Sequence, residues 1–82
     1  MLNAQMVQKG VPLGIGSFSY VPPVKKGQHL VAVLTIASGT KMAIEIIDEK
    51  TFYDVGIFCV THVGTGYAFF LLGEEEFKSC IT

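Results

Sequence analysis

Arginine and tryptophan are absent from this chain of 82 residues, and its six basic residues are all lysine. Without a guanidinium there is no planar fork of donors for bidentate capture of a phosphate, a carboxylate or a guanine edge. A net charge of −1 and a pI near 6.0 also lack the basic footprint of non-specific nucleic-acid binding, so no nucleic-acid partner is expected. Charge of either sign is sparse, at 16% of residues against 50% apolar. That balance excludes disorder and favours a fold with little surface left to water. Two cysteines, Cys59 and Cys80, are too few for a disulfide framework, and no basic segment leads into an apolar signal core at the N-terminus. The expectation is a protein not secreted by a recognisable signal, residing inside a cell or in a virus particle. The length allows one domain and no separate catalytic or regulatory one.

What is present is a long apolar stretch, Thr51 to Leu72. Between Val55 and Gly73 it has no Lys, Asp or Glu, but Gly56, Gly64, Gly66, His62 and the β-branched neighbours make it a poor membrane helix, and no membrane partner is expected. Read as strands, it is apolar on both alternating faces, the pattern of a strand covered on both sides. A domain this small buries only roughly 60 to 65% of the surface its unfolded chain exposes. Another copy of the chain, or another protein, is therefore expected to cover the second face.

Along the chain, residues 1–24 read as an extended N-terminal arm with one strand around Ile15 to Val21, closed by Pro22-Pro23. Residues 25–82 read as a single β domain. Lys25-Lys26-Gly27 turns into a strand from His29 to Ala37. Gly39 in Ser38-Gly39-Thr40-Lys41 fits the first central position of a two-residue type II′ hairpin, with Lys41 to Ile47 as the partner strand. That turn would pair Ala37 with Met42, Thr35 with Ile44, Val33 with Ile46 and Leu34 with Glu45. One face would then hold Val31, Val33, Thr35, Ala37, Met42, Ile44 and Ile46, and the other Ala32, Leu34, Ile36, Ala43 and Ile47 around Glu45. Because a buried unpaired carboxylate costs several kcal/mol, Glu45 is expected to reach a rim or a lysine. Asp48-Glu49-Lys50 reads as a polar turn, Thr51 to His62 as a strand bulged near Gly56, Val63 to Gly66 as a turn, and Tyr67 to Leu72 as a strand ended by Gly73. Glu74 to Cys80 fits either a turn of helix, with Glu74 and Lys78 spaced for an ion pair, or a charged edge strand. The fold class expected is all-β, a small antiparallel β-sandwich or open barrel of five to six strands with the arm appended.

No residue pattern identifies a chemistry. Cys59 and His62 have C-x-x-H spacing, but on a strand residues three apart point to opposite faces, and only the distant His29 and Cys80 remain to complete a zinc set. Apolar neighbours would hold Cys59 as an inert thiol. Gly14-x-Gly16 and Gly64-x-Gly66 complete no phosphate-binding motif. The expectation is thus no catalytic, metal or cofactor site. The aromatics, in the absence of a basic groove, fit packing or protein contact. Candidate interface residues are Phe18, Tyr20, Leu34, Ile36, Ile47, Tyr67 and Phe69. Residues 1–44 hold four lysines and no acid, and residues 45–82 hold seven acids against Lys50 and Lys78, which favours contacts between copies. These features point to a non-enzymatic structural protein acting through oligomerisation, such as a small virion, capsid or shell component, with itself and another protein as partners. Two alternatives are a small inhibitor or adaptor that blocks a partner protein, and a small-ligand-binding β-barrel.

Overall fold

The β-branched run at His29 forms the spine of the domain in the computed structural model, which describes residues 2–13, 26–63 and 66–81, with Leu13 as backbone alone. The elements in chain order are α1 (Ala4–Val7), β1 (Val11–Leu13), β2 (His29–Thr35), β3 (Lys41–Ile46), α2 (Glu49–Phe58) continued by a π-helical turn at Cys59–Val63, β4 (Tyr67–Leu72) and α3 (Glu74–Ser79). The strands form one antiparallel sheet in the order β1-β4-β2-β3. The strand expected at Ile15 to Val21 and most of the glycine-punctuated arm lie outside the described residues.

The hairpin joining β2 to β3 differs from the expected one by its turn. The Ile36 N–H donates to Thr40 O at 3.0 Å, and the Gly39 N–H donates to Ile36 O at 2.8 Å. Gly39 has φ +85°, so Ala37, Ser38 and Gly39 make a three-residue loop whose left-handed last residue glycine supplies without strain. The longer loop moves the register: Leu34 faces Met42, Val33 faces Ala43 and Val31 faces Glu45. A change of this parity turns the side-chain sets over. One face of the sheet now gathers Leu30, Ala32 and Leu34 with Met42, Ile44 and Ile46, and the other gathers Val31 and Val33 with Lys41, Ala43 and Glu45.

Thr51 to His62 is a helix, not a bulged strand. Asp48 caps it, its Oδ1 accepting from both the N–H and the hydroxyl of Thr51 at 2.7 Å. These bonds, led by the backbone one, hold the Asp48 carboxyl below its ordinary value. Glu49 lies in the first turn, where the helix dipole favours an acid, and Lys50 bridges to Asp54 one turn on at 2.8 Å. Phe52, Gly56 and Cys59 then recur at helical spacing and are buried on one side. Phe52 packs against Phe69 with ring centroids 5.0 Å apart.

The expected all-β sandwich or open barrel of five to six strands is therefore replaced by an α+β domain of three layers. Phe52 and Cys59 cover Leu30, Ala32, Leu34, Ile46, Tyr67 and Phe69 on one face of the sheet. Ala4, Val7 and Cys80, from α1 and the end of α3, cover Val31, Val33, Phe70 and Leu72 on the other. The two helical segments are tied by Asn3 N–H to Cys80 O at 2.7 Å and by a bridge between Leu2 and Ile81. Burial of each large core side chain contributes roughly 1.5 to 3 kcal/mol. The doubly apolar sheet that suggested an oligomeric virion or capsid component is thus covered by the chain's own helices, and that ground for a shell protein falls. Among the described residues, the linear strand order closes no barrel. No helix among the described residues is long and apolar enough to cross a membrane.

Candidate functional site

The ends of β2, β3 and α3 meet at one imidazole. Antiparallel pairing places His29 and Glu45 on the α1/α3 side of the sheet, and Gly73 starts α3 so that Glu74 reaches the same ring. His29 Nδ1 lies 2.6 Å from Glu45 Oε2, and Nε2 lies 2.8 Å from Glu74 Oε2. Both nitrogens must donate, which is the imidazolium form. Partial burial works against that charge, but the hydrogen bonds and negative charges of Glu45 and Glu74 outweigh it, and the His29 pKa is raised above 6.5. The bond from His29 holds Glu74 below its ordinary value. Phe77 lies flat on the ring at 3.9 Å between centroids. With both nitrogens engaged and one face stacked, this histidine clamps α3 to the sheet and is not a free base. Glu45 lies at the rim, as one of the two expected alternatives had it, on the edge strand β3, and its partner there is His29 and not a lysine.

The second feature is the outer edge of β3. Only β2 pairs with β3 among the described residues. The Thr35 N–H goes to Gly66 O beside β4, and the Ile36 N–H goes to Thr40 O beside β3. Since backbone groups alternate sides along a strand, odd residues of β2 bond to β4 and even residues bond to β3. On β3 the even residues Met42, Ile44 and Ile46 therefore bond inward, and Lys41, Ala43 and Glu45 aim their N–H and C=O groups outward. On the α2 side of this edge, Leu34, Met42, Ile44, Val55 and Phe58 line an apolar groove of about 270 Å³, with Asp54 at its margin. On the α1 side, Leu2, Thr40, Lys41, Met42 and Ala43 line another of about 300 Å³. Met42 and Phe58 are each 44% exposed there.

The opposite edge is built differently. Among the described residues β1 spans Val11–Leu13, with Pro12 opposite Phe70. Phe70 bonds toward β2, so the position proline occupies would have aimed its N–H outward, and the ring removes that donor. Among the described residues, one sheet edge is blunted and the other is left unpaired.

The residues expected to form an interface scatter. Leu34, Tyr67 and Phe69 are buried in the chain's own core, Ile36 packs partly buried against it, and Ile47 is 73% exposed just beyond β3. Phe18 and Tyr20 lie outside the described residues. Cys59 is fully buried, and desolvation pushes its thiol pKa up. His62 instead lies exposed and stacks on Phe58 at 4.7 Å. No metal-binding group of His, Cys, Asp or Glu side chains forms among the described residues. Sequence reasoning missed Phe58 because it gave that residue to a strand, and Met42 because it took it as core, whereas on the edge strand β3 it is 44% exposed. The Asp48 cap is the signal that corrects Phe58. No protein-family model, curated protein or solved structure matches this chain.

Proposed function

We propose that the protein is a non-enzymatic binding module that captures an extended protein segment by adding it as a fifth strand beside β3. Backbone hydrogen bonds from Lys41, Ala43 and Glu45 supply affinity, and alternate side chains of the added strand enter the two apolar grooves, which supply specificity. The observation that carries this reading is the contrast between the edges: β1 is short and closed by Pro12, whereas β3 runs for six residues without proline between two grooves that share Met42. An edge meant to stay unpaired is ordinarily shortened, bulged, charged or given proline; of these β3 shows only charge, Lys41 and Glu45, which are of opposite sign and so can pair across a two-stranded contact. The reading retains protein contact as the mode of action and places it on a strand edge, away from the sheet faces.

The test is selection of short extended peptides from a displayed library on the purified chain, followed by mapping of each binder on backbone amide resonances. Binders are expected to shift Lys41 to Ile46 together with Val55 and Phe58, and to alternate apolar residues. Binders that map to another surface, or a selection on the dilute, monomeric chain that yields none, would contradict strand addition.

A further inference from the structure

Resting on this strand-addition reading, we infer that the segment recognised by the β3 edge is β3 of a second copy, paired antiparallel about a two-fold axis at Ala43. The inference comes from the order of residues in Lys41-Met42-Ala43-Ile44-Glu45, which is self-complementary. A two-fold axis at Ala43 sets Lys41 of each copy opposite Glu45 of the other, Met42 opposite Ile44, and Ala43 opposite itself. Lys41, Ala43 and Glu45 have the outward backbone groups, so the residues brought opposite are those able to exchange both hydrogen bonds.

Both faces of that pairing are compatible with their surroundings. On the α1 side, Lys41 donates to the neutral Gln8 Oε1 at 3.4 Å and has no acidic partner among the described residues. Glu45 shares one imidazolium with Glu74. That cluster therefore remains net negative and able to attract a lysine. On the α2 side, Met42 and Ile44 of each copy meet the groove wall of Met42, Ile44, Val55 and Phe58, so each copy fills the other's depression. Charge also selects the register. Sliding until Lys41 meets Lys41, or Glu45 meets Glu45, opposes like charges and is destabilising. The centre of the edge is an alanine, small enough to face its own copy. The result is a continuous eight-stranded sheet with an isologous interface.

The experiment is sedimentation velocity of the full chain from micromolar to submillimolar concentration, repeated on Ala43→Pro and Lys41→Glu. Proline at position 43 removes an N–H that the chain's own sheet does not use, so the variant keeps its fold, checked by circular dichroism, and loses the dimer. Lys41→Glu opposes two carboxylates on each side of the axis and weakens the dimer roughly tenfold, and it serves as the independent variant if Ala43→Pro fails to fold. A chain that stays monomeric throughout overturns the proposal, as does a dimer that survives both substitutions. Displayed peptides that map to β3 on a monomeric chain would retire self-pairing alone, whereas a monomeric chain that binds no peptide, or binds it elsewhere, would retire strand addition with it.

Discussion

His29 is the residue whose ionisation the fold changes most usefully. Its folded pKa is raised above 6.5, so its contribution to stability is complete below the unfolded value and is lost as pH rises through the folded one. Glu74 runs the other way. Its folded pKa lies below the ordinary 4.5, so its contribution is present above that value and lost as pH falls through the depressed one. The clamp on α3 is therefore complete between about pH 4.5 and about pH 6.5. Thermal unfolding at about pH 5.5 and about pH 8.5 is expected to show a lower Tm at the higher pH, with a smaller drop in His29→Gln. An equal drop in the variant would show that the pH sensitivity lies elsewhere. The same cluster explains how Glu45 sits half-buried on the sheet: His29 supplies the charge its burial requires.

At the scale of elements, the decisive local choice is at Asp48. The carboxylate that caps α2 replaces what a strand reading treats as a turn, and Asp48→Ala is expected to cost about 1 kcal/mol through the lost cap. Chemical denaturation measures that cost, and an unchanged midpoint would mean that core packing alone holds the helix. β2, β3 and β4 were legible within one or two residues because their alternation and bounding glycines are strong signals. The helix was not, because Val55, Ile57, Val60 and Thr61 favour strands and Gly56 disfavours helix. Its apolar residues also satisfy two periods at once: Phe52, Gly56 and Cys59 face the core, while Tyr53, Ile57 and Val60 form an exposed stripe at the same spacing. The hairpin register was unreadable for a related reason. Gly39 provides the positive φ of either a two-residue or a three-residue loop, and one residue of loop decides which side chains face the core. In the candidate site, the composition led to an expectation of protein contact, and which residues line the β3 edge depended on a register the sequence did not show.

For the whole molecule, the chain's own helices cover both sheet faces, so the faces are not where the proposed association can occur. Pro12 closes one edge. The other keeps three outward backbone positions, opposite charges at its ends and an apolar groove on either side. On the strand-addition proposal, the protein's central property is a sheet edge that a partner strand finishes. Amide hydrogen exchange resolved by residue tests that property most directly, measured on the full chain at low and at high concentration. The amides of Met42 and Ile44, bonded to β2, are expected to be protected at both concentrations, while those of Lys41, Ala43 and Glu45 are expected to exchange freely when dilute and become protected when concentrated. Protection of all five amides at the lowest concentration would mean that the edge is already closed, and free exchange of Lys41, Ala43 and Glu45 at the highest would mean that a second copy does not close it.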